Sequence, residues 1–596
     1  MNRGLIICLF FLVLTPVLPV TSQKILISGK LTIKPTIVSS VSRTWDDLSL
    51  LYPEQFHNSS EIEQEIDQIA SAVPELVNIS VIGKSVQGKN IQLIKITNEL
   101  NANPKAGVFF VAQHHAREEI TVEATLRFIL RLVNNYGVDP AITSYIDNEE
   151  IYIIPTLNPD GNDIVVDGGN EYLRKNLRAF DDDGDKSFDE DDIEDLDGDG
   201  DIYSIETYSI PYPGWNLLTS PYQDNLVEII YEGDDDDGDG LVNEDMAGGI
   251  DLNRNYDYHW NDSSTDSGWG SDPTSEVYPG TAPFSEPETV ALRDFVLEHK
   301  FAAAMSLHSG VNNTYFPYGY LGTWAEPTLY GQIWNELREI IPYRFFGNSH
   351  SSYNGNHQSN TRYKIASPGY TTAGSWDDWM YAIAGCKVPL TFEIYHNTSS
   401  MMKNVNYFLM EDDGSHQVWK WTGMYEYFAP DEGPAIDSLW QDVLPAFDYW
   451  LDITPRLDVT VQSVSQFGTN EGDLITFSLG IENLSPQLDT ITSLEITDVS
   501  YDPLLLGSTA VSIAKIAPLE KESKKISFEL PQALSGDTIT VKVGNEYVGY
   551  HDIVIEKDQR RAPGFLVNSV LMVIPLLVTL KSWRKRFREL PLIRER

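Results

Sequence analysis

The chain has 596 residues, 42% of them hydrophobic and 11% aromatic, which is ample for large packed cores and marks a globular chain of two to four domains. Its 88 acidic side chains against 42 basic ones leave a formal charge of −46. So negative a surface repels nucleic acid and attracts divalent cations, which excludes nucleic-acid binding as a function.

In chain order, residues 1–22 open with a basic Arg3, continue through a nearly apolar run from Leu5 to Val20 and exit on small polar residues, the pattern of a secretory signal. Cys8 falls inside that signal and leaves Cys386 without a partner, so no intrachain disulfide is expected. Residues 23–45 show no strong periodicity and read as a spacer or short pro-segment. From 46 to 452 helical spacing alternates with short apolar runs. Glu61 to Ala72 is a helix, Ile91 to Ile96 an alternating strand, Val108 to Val111 a buried strand, and Ile120 to Leu130 an amphipathic helix. Ile151 to Ile154, Ala302 to Leu307 and Val388 to Ile394 are further strands, with a helix from Glu286 to His299. This rhythm predicts an α/β fold with a mixed, mostly parallel sheet and helices on both faces, where reactive groups collect at the carboxyl ends of strands.

Residues 455–558 change character, with short alternating strands and no long helices, and predict an all-β sandwich domain. The uncharged run 564–580, followed by the basic tail 581–596, predicts one transmembrane helix with the positive end inside. Pro563-Gly-Phe565 before it also resembles archaeal C-terminal sorting tails, in which the span is replaced by a lipid. The expected location is the cell surface with the large domain outside.

The chemistry begins at Val111-Ala-Gln-His-His-Ala-Arg-Glu118, where a strand ends, turns and starts a helix. His115 and Glu118 can converge there on one metal ion. Imidazole and carboxylate, joined by one distant third ligand, leave zinc an open position, as hydrolytic sites require. Four more stretches follow in order: Asn158-Pro-Asp-Gly161 with Tyr172-Leu-Arg174, then Asp251-Leu-Asn253-Arg254, then the strand ending in His308, then Tyr370 with Leu390-Thr-Phe-Glu393.

With these motifs the chain resembles, from about residue 46 to 450, the zinc carboxypeptidases of the carboxypeptidase A and B type. The resemblance implies His115, Glu118 and His308 as zinc ligands, with Asp251 orienting a ligating imidazole through its other N–H. It implies Glu393 as general base and Arg174 as the group that stabilises the developing oxyanion. It also implies that Asn253 and Arg254 grip the free carboxylate of a peptide or protein C-terminus, with Tyr370 closing over it and Arg117 contacting substrate further along the cleft. Counting on from Tyr370 places Asp377 where the family sets side-chain preference, and an acid there favours C-terminal Lys or Arg. A one-residue shift in this stretch would place Trp376 or Asp378 there instead.

Between Arg174 and Asn253 lies an acidic insertion, 180–247. Asp181, Asp183 and Asp185 open a run that is repeated from Asp235, Asp237 and Asp239. Between them Asp195, Asp197, Asp199, Asp201 and Glu206 fit a calcium loop. Mutual repulsion of these acids predicts an insertion that folds only when loaded with calcium. The expected activity is removal of C-terminal residues from extracellular peptides. The alternatives are a relative that trims cell-wall or isopeptide-linked peptides, and a catalytically silent, calcium-dependent surface-binding protein.

Overall fold

The computed structural model describes residues 41–167, 170, 172–179, 188–189, 193, 196, 204–209, 226–235, 243, 249–267, 273, 275–310, 313–341, 371–395, 407–412, 416–421, 428–483, 494–501, 504–505, 511–513, 521–530, 538–545, 547 and 549–556. In chain order its elements are α1 (Ser59–Ala72), β1 (Val77–Lys84), β2 (Asn90–Ile96), β3 (Ala106–Ala112), α2 (Ile120–Asn135), α3 (Pro140–Asn148), β4 (Glu149–Ile154) and α4 (Pro159–Val166). Then come β5 (Ser204–Ser209), β6 (Leu226–Tyr231), α5 (Pro287–Leu297), β7 (Phe301–His308), β8 (Asn313–Tyr315), α6 (Pro327–Ile340), α7 (Trp376–Ala382), β9 (Val388–Glu393), β10 (Tyr407–Asp412), β11 (His416–Trp421) and α8 (Pro434–Ile453). The strands after α8 are β12 (Leu457–Phe467), β13 (Leu474–Asn483), β14 (Leu494–Tyr501), β15 (Leu504–Leu505), β16 (Val511–Ile513), β17 (Lys521–Glu529), β18 (Thr538–Asn545) and β19 (Gly549–Glu556).

Seven strands form one mixed sheet in the order β1-β2-β4-β3-β7-β9-β8. β4, β3, β7 and β9 run parallel, and β1, β2 and β8 are antiparallel at the edges. Because strand side chains alternate, β3 feeds two cores at once. Val108, Phe110 and Ala112 pack with α1, α2, α3 and α8, while Phe109 and Val111 pack with α5 and α7. Burial on both faces explains why β3 and β7 read as continuous apolar runs rather than alternating ones. Each large side chain so buried contributes roughly 1.5–3 kcal/mol.

Two features differ from the sequence expectation. Val41, placed in the spacer, is already buried in the larger core, and Trp45 stacks on Tyr136 with its indole N–H donating to Val133 O. The acidic insertion also contributes β5 and β6, which join β10 and β11 in a four-stranded antiparallel sheet, order β10-β11-β5-β6. The partners lie some 200 residues apart in the chain, so no local pattern announces this sheet.

After α8 the strands form two antiparallel sheets, β12-β13-β17 and β15-β14-β18-β19 with β16 on β14. Ile475, Phe477, Ile526, Val541, Val543 and Ile555 share one apolar cluster drawn from both. Arg456, just before β12, donates to the buried Glu149 carboxylate at 3.0 Å, and Tyr547 Oη donates to Gly385 O at 2.8 Å. Among the described residues no helix is long and apolar enough to cross a membrane. The expected signal (1–22) and span (564–580) lie outside the described residues.

Candidate active site

The site sits at the carboxyl ends of β3, β7 and β9. β3 is followed by Gln113, whose φ of 55° is unusual for a residue with a side chain. Its amide donates to Ala116 O and Asn162 Oδ1, which holds the turn that follows. His115 and Glu118 emerge from that turn, and His308 ends β7 beside it. His115 Nδ1 lies 2.8 Å and His308 Nδ1 2.9 Å from the two Glu118 oxygens, and the two Nδ1 atoms are 3.2 Å apart. One ligand atom from each of the three residues lies within 4.8 Å of the others, and all three residues are buried. Burial alone would raise the Glu118 carboxyl, but the two imidazoles hold it well below the usual carboxylate range. Burial lowers His308. Two imidazoles and a carboxylate are a donor set that zinc accepts with a fourth position to spare.

Asp251 caps a short 3-10 turn (Leu252–Arg254) and is fully buried. Its Oδ1 lies 3.1 Å from His115 Nε2 and accepts from Asn253 N–H at 2.9 Å. Its Oδ2 accepts from Arg174 Nε at 3.1 Å and Nη2 at 2.9 Å. Burial works against the carboxylate, and Arg174 and His115 nevertheless hold it well below its ordinary pKa. Arg174 is placed by backbone bonds into the turn that carries His115 and Glu118, since Ala116 and Arg117 N–H donate to the carbonyls of Arg174 and Leu173. Gly161 of the Asn-Pro-Asp-Gly stretch fits against the same turn, where a Cβ would come within 2.7 Å of Ala116 Cβ.

β9 runs in register with β7 so that Glu393 pairs with His308. Adjacent strands lie about 4.8 Å apart, which puts the half-buried Glu393 next to His308 at the carboxyl edge of the sheet. Asn253 lies 3.4 Å from His308 through its Nδ2, and its Oδ1 accepts from Trp376 N–H at 2.9 Å. Arg254 is buried, with Nη1 donating to Asn253 O. Gly374, at φ 59°, fits against Arg254, where a Cβ would lie 2.3 Å from the Arg254 carbonyl oxygen.

The three candidates for side-chain preference separate cleanly. Trp376 is fully buried in the core beside α5. Asp378 is committed to backbone, accepting from Gly319 N–H at 2.7 Å and Tyr320 N–H at 3.0 Å. Asp377 is buried, feels the Arg254 charge, and is pushed up by burial to about 6. Arg117 packs over the Phe428 ring and makes a two-pronged pair with Glu276 at 3.0 and 2.8 Å, a partner that sequence spacing did not reveal.

Among the calcium candidates, Glu206 lies inside β5, paired with Trp419 and Ile229, instead of closing a loop. Asp235 is half-buried, and its backbone N–H donates to Asp234. Asp181, Asp183, Asp185, Asp195, Asp197, Asp199, Asp201, Asp237 and Asp239 lie outside the described residues, as does Tyr370.

The arrangement is that of a metal-dependent hydrolase site, and comparison with known proteins names the family. A family model described as zinc carboxypeptidase matches residues 62–422, more than half of the chain, and the chain belongs to that family. Carboxypeptidase A2 of Rattus norvegicus is 26% identical over 345 residues, covering 57% of this chain and 63% of the relative. Carboxypeptidase B of Bos taurus is 25% identical over 343 residues, covering 57% and 63%. A zinc carboxypeptidase of Saccharothrix mutabilis subsp. capreolus is 37% identical over 123 residues, covering 20% and 28%. The chain thus spans less than two thirds of the length of these curated relatives. Among solved structures, thrombin activatable fibrinolysis inhibitor is 22% identical, covers 68% of this chain and 75% of its own, and gives a TM-score of 0.43.

Proposed function

We propose that the protein is a zinc-dependent exopeptidase that hydrolyses the last peptide bond of extracellular peptides or proteins, with a preference for C-terminal Lys or Arg. The observation that carries this reading is the convergence of His115, Glu118 and His308, with Glu393 in register beside His308 and Arg254 bonded to Asn253, which reaches His308. Those three residues would hold zinc, which would supply Lewis-acid polarisation and lower the pKa of a water molecule. Glu393 takes the proton of the attacking water and later delivers one to the leaving amine. Arg174 donates to the oxygen that gathers negative charge, so its contact strengthens in the transition state. Asn253 and Arg254 bind the substrate's terminal carboxylate, and Tyr370 closes over it. Asp377, buried and within reach of the Arg254 charge, receives a basic side chain.

In this reading the chain is exported through its signal and held at the cell surface by the 564–580 span, or by a lipid that replaces it. The two sheets after α8 act as a spacing sandwich, a role supported by their shared apolar cluster. Calcium in the 180–247 insertion is proposed from the acidic repeats alone.

The test is release of single amino acids from peptides with free and blocked C-termini, together with zinc content, for the wild type and Glu393→Gln. Release from free ends only is expected. The variant should keep its zinc and lose about 10²–10⁴ in kcat. Unchanged turnover in the variant refutes the mechanism, and equal cleavage of blocked peptides refutes the exopeptidase reading.

A further inference from the structure

Two imidazoles that ligate through Nδ1 each carry a proton on Nε2, and each such proton needs an acceptor to fix ring and tautomer. For His115 that acceptor is Asp251. For His308 the structure offers two neighbours, Ser306 Oγ at 3.1 Å and Asn253 Nδ2 at 3.4 Å. The Asn253 amide is oriented by Trp376 N–H, which donates to its oxygen, so its nitrogen faces His308 as a second donor and cannot serve. Ser306 Oγ can. A hydroxyl that accepts there keeps its own proton to give, and His114 Nδ1 lies 3.1 Å away to take it. His114 then carries its proton on Nε2, which lies 2.9 Å from Tyr256 Oη. Ser306, His114 and Tyr256 are all fully buried, and the His114 ring stacks on His308 at 5.4 Å with 20° between planes.

We propose that Ser306 and His114, backed by Tyr256, are positioning residues that hold His308 in the tautomer and orientation a metal requires. This inference rests on the zinc reading above. The two adjacent histidines of the metal turn therefore serve different rings: His115 is itself a ligand, and His114 turns the other way to support the ligand from β7. The line is neutral throughout, and that suits its place. Glu118 and Asp251 already bury two carboxylates at this centre, and a third behind His308 would need another cation to offset it. An apolar side chain at 114 would fill the space equally well but would leave the Ser306 hydroxyl proton without its acceptor.

The experiment measures zinc dissociation constants by competition with a chromophoric chelator for wild type, Ser306→Ala, Ser306→Thr, His114→Phe and Tyr256→Phe. Melting of the metal-free forms is followed in parallel. Ser306→Ala should bind zinc about 10–100-fold more weakly, Ser306→Thr should recover most of that loss, and His114→Phe should fall between them. Peptide KM should stay near wild type while kcat falls. A packing role alone would lower the melting temperature of the metal-free protein and leave zinc affinity unmoved. Zinc affinity in Ser306→Ala within about twofold of wild type overturns the proposal. If that variant does not fold, the zinc-loaded wild type decides: the His308 ring N–H should appear as a slowly exchanging imidazole proton coupled to Ser306, and a rapidly exchanging one overturns the proposal. A wild type that takes up no zinc overturns the enzymatic reading as well, which separates the two failures.

Discussion

Replacing Asp251 by Asn tests the electrostatic frame of the site with a change of almost no volume. The carboxylate accepts from four donor atoms, His115 Nε2, Arg174 Nε and Nη2, and Asn253 N–H, at 2.9–3.1 Å. An amide cannot repeat this, because its NH2 must face at least one donor, and the negative charge opposite Arg174 disappears. Removing one partner of a buried ion pair costs about 3–5 kcal/mol. The Arg174 side chain keeps 14% of its surface in solvent, which places the expected loss at the lower end of that range. With His115 no longer held by a charged acceptor, zinc affinity should fall about 10–100-fold, or about 1.4–2.8 kcal/mol. Sign matters for the choice of pH. The Asp251 carboxyl is held below its unfolded value, so its stabilisation is present above pH about 4 and is lost only as pH falls further into acid. Measurements near neutrality therefore see the whole effect. Thermal melting with and without zinc, combined with chelator competition, reads both quantities, and the zinc-induced rise in melting temperature should shrink in the variant. Asp251→Asn with wild-type zinc affinity and wild-type stability would show that the carboxylate neither orients His115 nor balances Arg174.

Asp377→Ala should lower kcat/KM for C-terminal Lys and Arg by about 10–10³-fold while changing aromatic C-termini little. The wild-type preference itself should fade as pH drops through about 6, since burial raises the Asp377 carboxyl to that value. Limited proteolysis with and without a calcium chelator should show chelator-dependent cuts confined to 180–247, and identical nicking in both conditions ends the calcium proposal. His57 is buried between Glu123 and Glu65, whose hydrogen bonds overcome the effect of burial and push its pKa up to about 9. That stabilisation is complete below about pH 6.5 and lost as pH rises to about 9. The melting temperature should decline across this window, and a His57→Gln variant should show a flatter profile.

Much of the catalytic core was legible because its signals are local. The apolar run into Gln113 and the helical spacing after Ile120 announce a strand, a turn and a helix, and that alone projects His115 and Glu118 from one end of a strand. The same rule places His308 and Glu393 at strand ends. Other features left no local trace. The pairing of Arg117 with Glu276 joins residues 159 apart, and the sheet that draws β5 and β6 to β10 and β11 depends on strands that are partners only in space. Nor could spacing choose among Trp376, Asp377 and Asp378. What differs is what each side chain meets once α7 is packed: apolar core for Trp376, the Arg254 charge for Asp377, and the N–H groups of Gly319 and Tyr320 for Asp378.

By itself, then, the amino-acid order determined which side chains stand at strand ends and which residue types could bind a metal, because alternation and helical period act over a few residues. Tertiary structure alone decided which nitrogen of each histidine lies toward Glu118 and which groups lie within hydrogen-bond distance of the other. Ser306 and His114 face His308 only because β3 and β7 lie side by side, and hydrogen bonds form at distances of about 3 Å between atoms that sequence separation does not constrain.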